Sequence, residues 1–331
     1  MKSGRSLKVE IAGVGTHLPE RVLTNQDFEK MVDTSDEWIT KRTGIKQRHL
    51  AANGQATSDM AIPAARRALE DAGITARELD CVIVGTCTPD YLFPSTACLV
   101  QSAIGATEAA CWDVEAACSA FLYSLNQGAA MISSGMCRKA LVIGSDVLSK
   151  YVDYTDRRTC ILFGDGAGAA VLRSSENCGE LLYSEMGADG SRPEILNVPA
   201  GGTRCPPTAE TVANNMHCLV LQGSEVFKYA VGKLAELVSR LPEETGIGLD
   251  EIKLVIPHQS NERIIRSVCE RVGLSQDKAY MNIDRVGNTT AASIPIALRE
   301  ILDKGLIERG DLVLLLAFGG GLTWSSVLLR Y

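Results

Sequence analysis

The sequence lacks the features that mark exported, membrane-spanning and nucleic-acid-binding proteins. Its first residues include basic side chains but no apolar stretch behind them, so they do not form a secretory signal. The longest apolar run, residues 312–318, is far too short to cross a bilayer. The formal net charge of −7 disfavours broad binding to nucleic acid or anionic membranes, because both favour a basic surface. We expect a cytoplasmic protein that binds neither membrane nor nucleic acid.

Paired cysteine motifs are also missing. The 11 cysteines are odd in number and scattered, and no two stand in a Cys-x-x-Cys spacing. This pattern disfavours a disulfide framework or a zinc site, so we expect reduced thiols and no metal site. What is present is an ordinary globular composition of 331 residues, 46% hydrophobic and 22% charged, without low-complexity tracts.

Short apolar, β-branched runs bounded by turn residues recur along the chain and predict buried strands. Helical patterns lie between them, including residues 57–72 closed by Gly73 and residues 289–304 closed by Gly305. Alternating helices and strands predict a layered α/β architecture. The clearest strand candidates are residues 9–13, 81–84, 140–143, 254–256 and 312–316.

The two halves of the chain repeat one another in the order of their elements. Three landmarks recur at nearly constant spacings of 172, 170 and 173 residues, namely the pairs Val84/Ile256, Cys118/Asn288 and Ile143/Leu316. One such coincidence is common in α/β proteins, but three in register favour an internal duplication. We place the halves at residues 1–176 and 177–331. Because such halves usually create a site where their strand ends meet, we expect the functional site at their junction.

One cysteine stands at the start of a predicted helix. The segment around Cys118 has the pattern of a strand, a tight turn of small residues and a helix. The unpaired N–H groups and the positive dipole end of a helix favour a thiolate over a thiol. Cys118 is therefore the best placed nucleophile among the cysteines, although its small side chain also suits packing at a crowded turn.

Two further polar residues stand at predicted strand ends or helix starts. Only His258, of the four histidines, directly follows a buried strand, and Pro257 ends that strand and directs the ring into the strand-end cleft. Asn288 is either the N-cap of the following helix or, as the counterpart of the Cys118 turn, a residue facing the same cavity. The glycine run at residues 319–321 directly follows a strand, where a backbone N–H can help form an oxyanion hole.

Together these segments resemble β-ketoacyl-acyl-carrier-protein synthase III, the condensing enzyme that initiates type II fatty-acid synthesis. The resemblance covers essentially the whole chain. It implies a thiolase-like α/β fold, in which duplicated βαβαβαββ units form five α-β-α-β-α layers, and a homodimer. The segments that carry it are TSDEWI at 34–39, RTGI at 42–45, FPS at 93–95, GSDVL at 144–148, FGDGAGAA at 163–170, PHQ at 257–259, GNT at 287–289 and FGGG at 318–321.

The resemblance also implies a role for each candidate residue. Cys118 would carry the acyl group, and His258 and Asn288 would polarise the malonyl thioester carbonyl. The N–H groups of Cys118 and Gly320 would form the oxyanion hole. The implied substrates are acetyl-CoA, or another short acyl-CoA, and malonyl-acyl-carrier protein, and the resemblance implies no resident cofactor. Further implied contacts are Thr34, Trp38, Arg42, Arg157 and Asn261 for coenzyme A; Phe93, Leu148, Phe227 and Phe318 for the acyl group; and Lys228, Gln259, Ser260, Asn261, Glu262 and Arg263 for the carrier protein.

Two finer expectations come from the same resemblance. Lys228, Arg263 and Arg266 should form a local basic patch for an acidic carrier protein, despite the negative total charge. Phe93 should reach across the dimer interface and close the acyl pocket of the second subunit, which favours an acetyl or propionyl primer. The sequence departs from the family pattern at Ser224, where asparagine is common, and this leaves one coenzyme hydrogen bond in doubt.

Three alternative functions share part of this pattern. A related synthase of a polyketide or alkylquinolone pathway would use another primer or acceptor. A papain-like protease also uses Cys, His and Asn, but the sequence around its cysteine differs. A non-catalytic carrier-binding module is disfavoured because all three catalytic positions are filled.

Overall fold

The structure is a computed structural model that describes residues 1–3, 6–175 and 179–331. The strands are β1 (Lys2–Ser3), β2 (Val9–His17), β3 (Arg21–Thr24), β4 (Gln47–Leu50), β5 (Cys81–Gly85), β6 (Ala110–Val114), β7 (Lys139–Asp146), β8 (Gly166–Ser174), β9 (Glu180–Ala188), β10 (Leu196–Asn197), β11 (Val220–Leu221), β12 (Leu254–Pro257), β13 (Leu312–Gly319) and β14 (Thr323–Arg330). The helices are α1 (Asn25–Glu29), α2 (Asp36–Thr43), α3 (Thr57–Ala72), α4 (Thr96–Ile104), α5 (Ala120–Ser133), α6 (Ala209–Ala213), α7 (Gly223–Thr245), α8 (Glu262–Val272), α9 (Ile283–Val286) and α10 (Ser293–Asp303).

Two five-stranded sheets organise the described part of the chain. The first has the order β2-β8-β7-β5-β6 and the second the order β1-β9-β14-β13-β12. In the first sheet β5 runs parallel to both β6 and β7, and in the second β12 runs parallel to β13. The carboxyl ends of these parallel strands therefore meet at one edge of each sheet, where α/β proteins place their sites.

Apolar side chains pack the two sheets into five layers. Helices α5 and α10 lie between the sheets, where Phe121 and Leu125 share one core with Leu298 and Ile301. Helices α3 and α4 cover the outer face of the first sheet, and α7 and α8 cover the outer face of the second. This order of helix, sheet, helix, sheet and helix confirms the predicted five-layered fold.

The predicted elements are present, with differences at their ends. Helix α3 spans Thr57–Ala72, and Gly73 ends it with a φ of +65°, as the glycine signal predicts. The helix predicted from residue 289 instead begins at Ser293, because Thr290–Ala292 form a tighter 3-10 turn ahead of α10. All five predicted strands exist, and β13 continues three residues beyond its predicted end to Gly319.

The internal repeat has one constant offset of 173 residues at the junction. It separates β7 from β13 at both ends, and it separates the 3-10 turns Ala117–Ser119 and Thr290–Ala292. The first residues of α5 and α10, Ala120 and Ser293, keep the same separation. The residue equivalent to Cys118 is therefore Ala291, which corrects the predicted pairing of Cys118 with Asn288 by three residues.

The boundary predicted between residues 176 and 177 lies outside the described residues and stays a prediction. The strands of the first sheet fall within residues 9–174, and four of the five strands of the second fall within residues 180–330. The exception is β1, which pairs with β9 and so joins the start of the chain to the second sheet.

Three absences hold for the ranges 1–3, 6–175 and 179–331. No helix there has both the length and the apolar character needed to span a membrane. No three side chains of His, Cys, Asp or Glu are grouped to hold a metal ion. The ten cysteines in these ranges are free thiols.

Candidate active site

Cys118 lies in the 3-10 turn between β6 and α5, at the junction of the two halves. Ala117 before it has a φ of +46°, a left-handed conformation that is unusual for a residue with a side chain. The turn contacts β13 and the equivalent Thr290–Ala292 turn of the other half. At the end of β13, a Cβ on Gly319 would lie 2.7 Å from the Cys118 nitrogen. The strand end therefore approaches the Cys118 N–H closely because residue 319 is a glycine.

The surroundings of Cys118 raise the pKa of its thiol. Burial is the main cause, and the carboxylates of Asp146 and Glu115 add to it. The predicted position at a helix start is confirmed, but the thiolate expected there is not, because burial and carboxylates favour the protonated form. The thiol must therefore lose its proton as it attacks a substrate.

His258 directly follows β12, as predicted. Its backbone N–H donates to the Leu316 carbonyl at 2.7 Å, and the residue is only 5% exposed. Burial lowers the pKa of His258 to about 3, so the ring is neutral at ordinary pH. The Nε2 atom is buried and has no hydrogen-bond partner among the described residues.

A hydroxyl that sequence reasoning missed orients this ring. The Nδ1 atom of His258 lies 2.6 Å from the Ser293 Oγ, and Oγ also accepts a long 3.4 Å contact from the Gln259 N–H. From this network we infer that the Ser293 hydroxyl donates a hydrogen bond to Nδ1. The neutral ring therefore carries its own proton on Nε2. The unpartnered Nε2–H is thus a donor for a ligand. The signal in the sequence that could have found this hydroxyl is the position of Ser293 at the start of the helix that follows the turn.

Asn288 lies at the entry to the Thr290–Ala292 turn. Its backbone donates to the Leu162 carbonyl at 2.9 Å and accepts from the Gly164 N–H at 3.0 Å. Its Oδ1 accepts from the Thr290 N–H at 3.0 Å, a contact within the turn. This contact fixes the orientation of the amide and leaves the Nδ2 hydrogens as donors. Asn288 is not the N-cap of the following helix, because the N-cap of α10 is Ala292.

Sequence reasoning also missed a carboxylate that links the two halves. Asp146, at the end of β7, is 0% exposed and accepts hydrogen bonds of 2.9 to 3.0 Å from residues 86–88. On the other side it accepts from the Ala291 N–H at 3.1 Å and from the Thr290 hydroxyl. The offset of 173 residues makes Asp146 the equivalent of Gly319 in the repeat, and this is the signal that could have found it.

Four of the five predicted coenzyme A residues, namely Trp38, Arg42, Arg157 and Asn261, contact one another in one region. The guanidinium groups of Arg42 and Arg157 lie 4.5 and 5.2 Å from the centroid of the Trp38 ring. Asn261 donates to the Arg42 carbonyl at 3.1 Å and caps the start of α8. The Thr34 hydroxyl is buried without a hydrogen-bond partner in the described part of the chain.

The four predicted acyl-pocket residues do not form one contact cluster in a single chain. Leu148 packs with Ile161 beneath α2, whereas Phe227 and Phe318 pack in the outer core of the second sheet. Phe93 is 85% exposed, so it can close a pocket only in another molecule.

The prediction that Gln259 contacts a carrier protein is wrong, because its side chain is 0% exposed. Its Nε2 donates to the carbonyls of Pro257 and Tyr280 at 2.8 and 3.0 Å, and its Oε1 accepts from the Asn282 N–H at 3.0 Å. These bonds hold the loop after β12 and leave nothing for a partner. The sequence could not separate Gln259 from its neighbours, because burial after a strand end depends on tertiary packing.

The other predicted carrier residues lie at or near the surface. Ser260, Asn261 and Glu262 are partly exposed, and Lys228 and Arg263 are exposed.

Within the basic patch, Lys228 and Arg266 each pair with a carboxylate of their own helix, at 3.2 and 2.6 Å. Arg263 lies 5.6 Å from the Phe227 ring and has no ion pair among the described residues. Arg263 is therefore the cation of this surface that is most available to a partner.

Comparison with known proteins assigns these features to one family. The profile of 3-oxoacyl-[acyl-carrier-protein] synthase III matches residues 112–190, and that of its C-terminal domain matches residues 243–331. The β-ketoacyl-[acyl-carrier-protein] synthase III of Caldanaerobacter subterraneus is 50% identical over 97% of this chain and 97% of the relative. That of Solibacter usitatus is 50% identical over 98% of this chain and 99% of the relative.

Solved structures give the same result. The 3-oxoacyl-[acyl-carrier-protein] synthase III of Aquifex aeolicus superposes with a TM-score of 0.91 at 46% identity, covering 98% of this chain and 100% of that one. The enzyme of Pseudomonas aeruginosa superposes with a TM-score of 0.90 at 38% identity, covering 98% of each chain.

The duplicated fold and the residues at its junction define a thiolase-like condensing enzyme that transfers acyl groups. Within that class, the identity to its relatives extends over both halves of the chain. The chain belongs to the β-ketoacyl-acyl-carrier-protein synthase III family.

Proposed function

We propose that this chain catalyses the condensation that initiates type II fatty-acid synthesis. Acetyl-CoA, or another short acyl-CoA, and malonyl-acyl-carrier protein give 3-oxoacyl-acyl-carrier protein, carbon dioxide and coenzyme A. One observation carries the proposal. Cys118 of the first half, which Gly319 approaches closely, lies in a turn that contacts the Thr290–Ala292 turn of the second half. That turn is flanked by Asn288 and by Ser293, whose hydroxyl orients His258. A related synthase with another primer or acceptor is less favoured, because relatives at about half identity bear the fatty-acid enzyme's name.

The first half-reaction transfers the acyl group to Cys118. The sulfur attacks the thioester carbon of the acyl-CoA, the bond from that carbon to the coenzyme sulfur breaks, and coenzyme A leaves with the proton lost by Cys118. Exchange of one thioester for another is almost thermoneutral. The carbonyl oxygen becomes negative on the way, and the N–H groups of Cys118 and Gly320 are the proposed donors to it.

The second half-reaction forms the carbon–carbon bond. The malonyl group loses carbon dioxide, and the electron pair of the broken bond forms an enolate. The enolate carbon attacks the acyl carbon, the bond to the Cys118 sulfur breaks to release the product, and the sulfur takes up one proton from solvent to regenerate the thiol. His258 Nε2–H and Asn288 Nδ2–H are the donors that we assign to the enolate oxygen. Burial keeps His258 neutral, so the ring donates its hydrogen bond as an uncharged group.

Coenzyme A enters beside Trp38 in this proposal. A cavity of about 480 Å³ is lined by residues 31–33 and 155–158, and Arg157 connects it to the Trp38 ring. Arg157 now lies against the Trp38 ring and pairs with Asp33 at 3.1 Å. An adenine between the two would need a stacking distance on each side, so Arg157 must move outward when the nucleotide binds.

The homodimer is part of the proposal, and two features support it. Strand β6 ends the first sheet, so its outer edge has no partner strand among the described residues. Such edges are usually covered in proteins. Tyr91, Leu92 and Phe93 are exposed apolar residues of the loop after β5, the strand beside β6. A second copy that pairs through β6 would cover both features and bring Phe93 to its acyl pocket.

Intact-mass spectrometry after incubation with a panel of acyl-CoAs tests the function. Acetyl-CoA or propionyl-CoA should add one acyl mass, and malonyl-acyl-carrier protein should then remove it and yield the 3-oxoacyl product. Protein that gains no acyl mass from any member of the panel would contradict the proposal. The cytoplasmic location and the absence of a cofactor stay predictions.

A further inference from the structure

Equivalent positions in the two halves treat the same backbone N–H in opposite ways. The Cys118 N–H of the first half faces Gly319, the end of strand β13 of the second half, and within the described ranges it donates to no backbone carbonyl. The equivalent Ala291 N–H of the second half faces Asp146, the end of strand β7 of the first half, and donates to its Oδ2 at 3.1 Å. A carboxylate oxygen thus lies where the repeat would place a second oxyanion site.

The same oxygen is the start of a chain of hydrogen bonds to Asn288. The Thr290 hydroxyl donates to Asp146 Oδ2, and the Thr290 N–H donates to Asn288 Oδ1 at 3.0 Å. Thr290 has a φ of +48°, an uncommon conformation for a β-branched residue. The contact to Asp146 therefore helps to hold a turn that would otherwise favour another backbone conformation.

The other carboxylate oxygen fixes Asp146 to the first half. Oδ1 accepts from the Thr86 hydroxyl at 3.0 Å, the Cys87 N–H at 2.9 Å and the Thr88 hydroxyl at 3.0 Å. Such donors stabilise a buried negative charge that would otherwise be costly. Asp146 is thus held on one side while it holds the Asn288 turn on the other.

We propose that Asp146 is a positioning residue for the condensation step: it permanently fills the second half's counterpart of the oxyanion site and, through Thr290, orients the Asn288 amide toward the enolate. This inference rests on the proposed function, because the orientation of Asn288 matters only if its amide donates to substrate. It also explains why the duplicated fold has one acyl site. A nucleophile equivalent to Cys118 would find the N–H of residue 291 already bound to Asp146, and the Val147 N–H, the counterpart of the Gly320 N–H, already bound to the Thr88 hydroxyl at 2.9 Å.

Substitution of Thr290 tests the link without removing the buried charge. Thr290→Ala deletes the hydroxyl, and the equivalent Ala117 already adopts a φ of +46° in this chain, so the turn can form with alanine. We expect condensation by pre-acylated enzyme to fall about 10-fold, the scale of one hydrogen bond to a charged group, with acylation of Cys118 changed less than about 2-fold. Thr290→Ser should restore most of the loss, because it keeps the hydroxyl.

Ser145→Ala is the matched control. It removes one buried hydroxyl that donates to the Thr57 carbonyl at 3.0 Å, on the strand that carries Asp146 but away from the second half. It should leave the ratio of the condensation rate to the acylation rate unchanged. Asp146→Asn, which keeps the shape but loses one acceptor oxygen, should reduce condensation more than Thr290→Ala.

A double-mutant cycle with Asn288→Ala separates positioning from general support of the fold. Once Asn288 is alanine, Thr290→Ala should cause no further loss of condensation. Additive losses, or equal losses in both half-reactions, would overturn the role of Asp146 while leaving the proposed function intact. A parent enzyme that acylates Cys118 but does not condense would contradict the proposed function, and with it the role of Asn288.

Discussion

The two halves of this chain share one backbone trace at their junction but carry different side chains on it. The second half has His258 and Ser293 where the first has Gly85 and Ala120, and a Cβ on Gly85 would lie 2.7 Å from the Ala120 carbonyl carbon. The first half therefore has no room for a ring at that place. The duplicated halves contain the same turn. Differences in side-chain size and charge place the nucleophile in the first half and the donors in the second.

The strongest way to break this comparison is to exchange the nucleophile between the halves. Cys118→Ala should abolish acylation, because no neighbouring group at that helix start replaces the sulfur. Adding Ala291→Cys should not restore it, since Asp146 already accepts from the N–H of residue 291. Intact-mass spectrometry and active-site peptide mapping measure both variants. An acyl group on the cysteine introduced at position 291 would show that the two turns are chemically interchangeable. An acyl group on the active-site peptide of Cys118→Ala would refute the assignment of Cys118 as the nucleophile.

Removing the donors of the second half should separate the two half-reactions. His258→Ala and Asn288→Ala should each lose about 3 kcal/mol of transition-state stabilisation in malonyl decarboxylation, the usual scale for one such donor. Acylation of Cys118 should change much less, because it develops no enolate charge. Separate assays of acyl-enzyme formation and of carbon dioxide release decide this. Equal loss in both steps for His258→Ala would instead indicate that His258 accepts the Cys118 proton.

Much of this division was predictable from sequence, because strand ends and helix starts leave local signals. Cys118 before a helical pattern, and His258 after Pro257, could be placed by patterning alone. The register of the repeat could not: the helix predicted from residue 289 begins four residues later at Ser293, and the pairing of Cys118 with Asn288 was three residues out of the 173-residue register. Asp146 and Gln259 were missed or misassigned because their roles depend on burial and on donors distant in sequence.

The aromatic loop after β5 tests a further difference between the halves. In the first half the segment after the strand exposes Phe93, whereas the equivalent segment of the second half leads into the charged start of α8. Phe93→Thr should open the acyl pocket of a dimer and allow octanoyl-CoA as a primer. Overpacking by extra methylenes costs about 1–3 kcal/mol, so acylation by octanoyl-CoA should rise about 10-fold or more. A parent enzyme that already prefers octanoyl-CoA would refute the closure by Phe93.

The buried ring of His258 predicts a pH dependence of stability that Gly85, its counterpart in the first half, cannot produce. The pKa of His258 is about 3 in the native state against an ordinary value of 6.5. Below pH 6.5 the unfolded chain binds a proton that the native ring does not, so this contribution is complete above pH 6.5 and is lost as the pH falls toward 3. Between pH 7 and pH 5 the loss is about 2 kcal/mol.

Denaturant unfolding at the two pH values measures this loss. His258→Asn should lose about 2 kcal/mol less than the parent over the same interval, because asparagine has no proton to bind. An identical pH dependence in the parent and in His258→Asn would show that the ring is not held neutral.

The smallest expected effect concerns the basic surface at the start of α8. Arg263 has no ion pair among the described residues, whereas Lys228 pairs with Glu225 at 3.2 Å. Arg263→Glu should therefore raise the KM for malonyl-acyl-carrier protein about 5-fold, the upper end of what one exposed ion pair contributes. Lys228→Glu, the matched control on the same surface, should raise it less, because part of the lysine charge is already neutralised. Acylation by acetyl-CoA should not change in either variant, and the KM of the parent should rise with salt. If the KM for the carrier substrate is unchanged in Arg263→Glu, this surface is not the docking site. The second half would then contribute only the donors His258 and Asn288 to the reaction.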